Sequence, residues 1–166
     1  MVRRKPAAIA RCHSGYRHTI GRLSEYGWLP MLLLRLSIGF MFFSGAVDKL
    51  RDLGKFTAMF TSLGIPAAPV VAPLVAVVEL VGGVALMLGL GTRPVSLVLA
   101  MDMIGALLTD IGPGLADKYP SVWSFASNLF YSSEWLLTGL LLYLLCAGGG
   151  PASIDAATER RRMSAR

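Results

Sequence analysis

The chain has 166 residues, 54% hydrophobic and only 16% charged, with a mean hydropathy of +0.59 and a formal net charge of +6. Such a balance carries too many long apolar runs for an ordinary soluble domain and indicates one polytopic membrane domain. Membrane topology and anionic lipid account for the basic excess, which therefore calls for no nucleic-acid partner.

Residues 1–27 form a basic segment in which Arg3, Arg4, Lys5, Arg11, Arg17 and Arg22 outweigh Glu25. No apolar core of signal-peptide length lies in it, so the first span is expected to act as the targeting signal. Between Ile9 and Leu23 the apolar residues Ile9, Cys12, Tyr16, Ile20 and Leu23 recur at helical spacing, which fits an amphipathic helix on the inner leaflet. Pro6, Ser14 and Gly15 weaken that helix, leaving a disordered basic tail as the competing reading. Cys12 and Cys146 form neither a CxxC pair nor a disulfide framework, and His13 and His18 lack the companions of a zinc site, so no metal is expected.

Four apolar segments follow: Trp28 to Val47, Pro66 to Leu90, Pro94 to Ile111 and roughly Phe130 to Ala147. Each approaches the ~20 residues that a helix needs to cross ~30 Å of hydrocarbon. Barrel strands would alternate polar and apolar residues, and these runs do not. The expected fold is an all-α, polytopic four-helix membrane bundle over residues 28–147, flanked by the basic segment 1–27 and a basic tail, 148–166. Both flanks carry excess arginine, in the tail Arg160, Arg161, Arg162 and Arg166, so both termini are expected on the cytoplasmic side of the cell membrane. Between the first two spans Phe56, Met59, Phe60 and Leu63 share one helical face, ahead of a Gly64-Ile65-Pro66 stop, which predicts a short extracytoplasmic helix. The loop Leu115 to Tyr131 is rich in aromatics, suited to an interface belt or to the mouth of an apolar pocket.

Arg35, Glu79, Asp102 and Glu134 each stand inside a different apolar segment. A charge near the bilayer centre costs roughly 2.5–3.5 kcal/mol on insertion scales, so four on four helices argue for an interior polar cluster. At ~1.5 Å per residue from the expected cytoplasmic helix ends, Arg35 lies ~10 Å deep, Asp102 ~12 Å, Glu79 ~16 Å and Glu134 ~20 Å, so all four can share a layer. Arg35 is the fixed cation of that cluster and can hold one of the three carboxylates ionised; the sequence does not say which, and Arg35 with Glu79 is the pair to test by charge exchange. Three acids for one arginine leave a carboxyl able to take up or release a proton, although a purely structural network uses the same residues. Gly39, Gly83, Ala106 and Thr138, one turn beyond each charge, allow the helices to approach closely.

The run Leu34-Arg35-Leu36-Ser37-Ile38-Gly39-Phe40-Met41-Phe42-Phe43-Ser44-Gly45-Ala46-Val47-Asp48-Lys49-Leu50 resembles the opening helix of DoxX family membrane proteins. The segment Phe56 to Pro66, the run Val78-Glu79-Leu80-Val81-Gly82-Gly83 and the turn Leu88-Gly89-Leu90-Gly91-Thr92-Arg93 extend that resemblance over about residues 31–147. It implies a four-helix membrane bundle linked in some members to quinone-coupled or thiol-related oxidoreductase systems. It also implies that Arg35, Lys49, Glu79 and Glu134 are the recurrent polar residues, while Asp102 matches no such pattern. Three function classes fit. One is a redox-linked membrane protein whose cluster binds a quinone or related headgroup, with Arg35 and Lys49 orienting oxygen atoms. The others are a non-catalytic assembly subunit docking soluble enzymes through its basic termini, and a small transporter or proton carrier, which with four helices requires a homo-oligomer. Nothing matches a covalently held flavin, haem or iron–sulfur site, so redox chemistry calls for a diffusible quinone or a partner subunit.

Overall fold

In the computed structural model, which describes residues 26–165, the chain is a bundle of α-helices with no strand among those residues. The expected N-terminal amphipathic helix lies outside the described residues. Helix α1 (Trp28–Arg51) leads into the short α2 (Leu53–Ser62), and α3 (Ala68–Leu88) returns antiparallel to α1. A tight turn gives α4 (Thr92–Ala106), which continues through a π-helical turn (Leu107–Ile111) into α5 (Gly112–Lys118). Then come α6 (Val122–Tyr131), α7 (Ser133–Ala147) and a C-terminal α8 (Ile154–Ser164).

Three helical stretches are long and apolar enough to span a membrane: α1, α3 and the continuous run Thr92–Lys118. The fourth span is a bent pair. Helices α6 and α7 meet at 58°, with Ser132 in extended conformation between them. At 15 residues, α7 alone covers ~22 Å, short of the ~30 Å hydrocarbon thickness. The Ser132 hydroxyl caps α7 by accepting from the Trp135 amide at 3.3 Å, so the break is built by residues that favour a helix start. The predicted short helix after the first span is α2, begun by Asp52 accepting from the Lys55 amide at 3.0 Å.

The long helices bury one stripe each. On α1 it is Arg35, Ile38, Gly39, Phe42 and Ala46, and on α3 it runs through Ala72, Ala76, Glu79, Gly83 and Leu86 at alternating steps of four and three. Small side chains bring α1 and α3 into backbone contact: a Cβ on Gly83 would stand 2.6 Å from the Gly39 carbonyl oxygen, and one on Gly39 would stand 2.7 Å from that of Gly83. Helix α1 packs chiefly on α3 and α4 on α7, while a narrower α3–α4 contact joins the two pairs. Ile38, Phe42, Leu86, Leu99, Leu141 and Leu144 fill the centre. A second cluster, Phe56 with Ala72 and Ala76, seats α2 against the start of α3. Large apolar side chains such as Phe40, Val70 and Leu108 point outward, as lipid rather than water requires.

Pro113 lacks the amide that would continue α-helical bonding, and the helix widens just before it. The Gly112 amide donates five residues back to Leu107, which makes the π turn. Gly89 and Gly91 take left-handed conformations, φ +68° and +56°, and so close the α3–α4 turn that glycine alone makes without strain.

Candidate functional site

Two separate polar centres occupy opposite ends of the bundle. At the end bearing α8, Arg35 is 1% exposed. Its guanidinium donates to the Gly149 carbonyl and, at 2.7 Å, to the Ala152 carbonyl, both in the glycine-rich turn after α7. Asp155, in the first turn of α8, accepts from the Gly91 amide at 2.7 Å and the Thr92 amide at 2.8 Å. It thereby caps α4 from a distant part of the chain, since Gly91 has no side chain to do so. Burial pushes the Asp155 carboxyl up, but the Thr92 and Gly91 amides, aided by the nearby Arg35 guanidinium, outweigh it and hold the carboxyl below its ordinary value. This centre latches the tail to the bundle.

At the other end, Lys49 Nζ lies 2.5 and 2.6 Å from the two carboxylate oxygens of Glu79, whose side chain is 3% exposed. Both side chains lean toward the N-termini of their own helices, and because α1 and α3 run antiparallel they lean toward each other. The Lys49 ammonium also sits 5.1 Å from the centroid of the Phe56 ring, which packs edge-on against Phe60 at 4.7 Å. On α4 the Asp102 carboxyl lies against that of Glu79, and one of its oxygens is buried with no hydrogen-bond donor. Glu134, in the first turn of α7, accepts from the Ser133 hydroxyl at 3.0 Å.

Lys49, Glu79, Asp102 and Glu134 all face one cavity of about 650 Å³. Phe56 and Phe60 of α2, with Leu63 just past its end, roof it, Val71 and Val75 of α3 form one wall, and Met101 and Gly105 of α4 form another. Asp110 of the π turn stands exposed at its rim. An ion pair and a further carboxyl at the bottom of a mostly apolar cavity can hold a ring bearing polar oxygens, and two touching carboxyls can pass a proton. Among the described residues no three His, Cys, Asp or Glu side chains converge closely enough to hold a metal ion together.

Arg35, expected from the sequence in this cluster, sits instead in the other centre, on the Gly149 and Ala152 carbonyls. The Arg35 side chain leans toward its own N-terminus, away from Glu79, and arrives beside Gly89, just past the end of α3. Ten residues of helix, ~15 Å, separate that level from Glu79. Lys49 takes the expected place of Arg35. It lies 14 residues further along α1, almost four whole turns, and so on the same face, a signal present in the sequence. The carbonyls that receive Arg35 were not foreseeable, because the turn Gly148–Ser153 has no periodicity to place it.

Comparisons with known proteins agree with this architecture. The DoxX family pattern matches residues 30–110, which hold most of α1 to the π turn and, of the cavity's five ionisable side chains, all but Glu134. The chain is 34% identical over 138 residues to a Mycobacterium tuberculosis protein named Uncharacterized membrane protein Rv3486, covering 79% of this chain and 82% of that protein. It is 37% identical over 78 residues to a Bacillus subtilis protein named Putative oxidoreductase CatD, covering 47% of this chain and 57% of that one. No solved structure matches.

Proposed function

The chain belongs to the DoxX family of membrane proteins, and from that premise we propose that it serves a membrane oxidoreductase system by binding a quinone-type headgroup in the Lys49–Glu79 cavity. The observation that carries this reading is a 3%-exposed carboxylate, held by one lysine and touching a second carboxyl, at the bottom of a cavity whose other walls are aromatic and aliphatic. Lys49 donates to a ring oxygen of the headgroup, Phe56 and Phe60 cover its face, and the Glu79–Asp102 pair takes up or releases a proton as the ring oxygen changes state. Met101, 64% exposed, and Met59, 40% exposed, line the cavity on its outer flank, where a headgroup can enter sideways from lipid. The oxidoreductase name of the Bacillus subtilis relative supports a redox setting. The electrons come from a partner protein, and the chain lies in the cytoplasmic membrane with both termini inside, as its arginine-rich ends favour.

The test is mass spectrometry of the protein gently purified from its membrane, wild type beside Glu79→Gln. Quinone retained by the wild type and depleted at least tenfold in the variant is the expected result. Equal retention, or none in the wild type after quinone supplementation, refutes the proposal.

One observation favours a second reading, a non-catalytic subunit that docks soluble enzymes. Helix α8 exposes Arg160, Arg161 and Arg162 and is latched to the bundle by Asp155. On that reading Arg161→Gln combined with Arg162→Gln abolishes recovery of partner proteins, whereas Glu79→Gln leaves it unchanged.

A further inference from the structure

The two polar centres are divided by a dry, close-packed layer, and this division gives the cavity a sidedness. Beneath the Lys49–Glu79 pair come Ile38, Phe42, Leu86, Leu99, Leu141 and Leu144, none more than 4% exposed. The helix seams at that level are closed as well. The Gly39 and Gly83 backbones touch, leaving no room for water between α1 and α3. A Cβ on Gly82 would meet the Leu99 side chain at 3.0–3.2 Å, so α3 and α4 touch there, and the groove of about 360 Å³ beside that contact is lined by exposed apolar residues such as Val77, Val81 and Val98 and opens to lipid. Only past this layer does polarity resume, with Ser96 and Thr92 on α4 and the Arg35 guanidinium. Asp102 and Ser96 stand six positions apart, ~9 Å of helix, with Leu99 between them. A hydrated proton crossing that gap would lose its solvation with no polar group to replace it.

At the opposite end a line of polar side chains leads from the pair to the rim of the otherwise apolar cavity. Glu134 is half-buried on its wall, while Thr109 and Asp110 stand exposed where the π turn flares outward. The ionisable groups facing the buried pair are thus Lys49 from α1, Glu79 from α3, Asp102 and Asp110 from α4 and its π turn, and Glu134 from α7.

We infer that the cavity is a one-sided vestibule: its Glu79–Asp102 pair exchanges water and protons with the membrane face opposite α8, past Glu134 and Asp110, and is sealed from the face that bears α8. The inference deepens the headgroup reading, since it fixes the side on which protons are released or taken up at the site. It stands on packing alone, however, and survives the absence of a bound quinone.

The experiment is thiol accessibility in sealed membrane vesicles prepared in both orientations. Cys12→Ser and Cys146→Ser provide the background, and proteolysis of a C-terminal tag reports which face carries the tail. Single variants Asp102→Cys, Thr109→Cys and Ser96→Cys are treated with a charged, membrane-impermeant methanethiosulfonate. The expected result is modification of Asp102→Cys and Thr109→Cys at least tenfold faster from the face opposite the tag, and of Ser96→Cys from the tag face or not at all. Should Asp102→Cys fail to fold, Gly105→Cys replaces it, since a Cβ there meets nothing within 4 Å and the residue lines the cavity. Modification of the cavity positions equally from both faces, or faster from the tag face, overturns the inference. The same vesicles extracted for quinone report separately on the headgroup.

Discussion

Removing Lys49 alone should destabilise the fold, whereas removing it together with Glu79 should leave stability nearly unchanged. The pair has both Glu79 oxygens within 2.6 Å of one ammonium, and the carboxylate is 3% exposed. Deleting one member of a fully buried pair costs about 3–5 kcal/mol, because the other charge is left without compensation. The Lys49 side chain is 31% exposed, so water shares in solvating the ammonium and the cost of Lys49→Met falls to about 2–3 kcal/mol. Lys49→Met combined with Glu79→Leu leaves no uncompensated charge in the pair, and apolar replacement of such pairs is often neutral. The double variant should therefore lie within about 1 kcal/mol of wild type, giving a coupling energy of about 2 kcal/mol or more. The assay is equilibrium unfolding in mixed micelles, with all four members of the cycle measured under identical conditions. A double variant as unstable as the sum of the two single ones would refute the reasoning, because it would mean that the residues act independently.

Asp155 gives the tail latch a pH dependence. Its carboxyl is held below the unfolded value, ~3.9, so the stabilisation is complete above that value and is lost as the pH falls through the lower, folded one. Acidification below about pH 4 should increase proteolysis within Gly148–Ser164, and Asp155→Asn should show that susceptibility at neutral pH with a flat profile. At the α1–α3 contact, Gly83→Ala should destabilise by about 1–3 kcal/mol, since the added methyl meets the Gly39 carbonyl oxygen at 2.6 Å. Gly45→Ala, on α1 with nothing within 4 Å of its Cβ, should be neutral or gain up to about 1 kcal/mol; thermal unfolding of the two variants checks both.

Much of the architecture was legible because hydrocarbon admits few solutions. The apolar runs place α1, α3 and α4 to within a few residues, and the amphipathic face of Phe56, Met59 and Phe60 foretells α2. The final span was harder to read, since its bend at Ser132 joins two helices that are individually too short. Helix α8 lies in a polar tail whose order depends on tertiary contacts to Gly91, Thr92 and Arg35, and such contacts leave no periodic trace. In the candidate site, Glu79, Asp102 and Glu134 were marked by the cost of charge in an apolar run, and the structure brings all three to one cavity. Depth along a helix axis does not report which way a side chain leans. That direction sends Arg35 toward the tail and Lys49 toward Glu79.

The central proposal is that a quinone headgroup binds in the Lys49–Glu79 cavity, and photo-crosslinking tests it most directly. The intact protein in lipid nanodiscs is illuminated with an azidoquinone, digested, and the labelled peptides are sequenced by mass spectrometry. The account predicts labels on α2 and the cavity-facing part of α4, between Phe56 and Leu63 and between Met101 and Thr109, suppressed by excess unlabelled quinone and absent in Glu79→Gln. Labels spread evenly over the lipid-facing surface, or gathered around Arg35 and the Gly148–Ser153 turn, would contradict it.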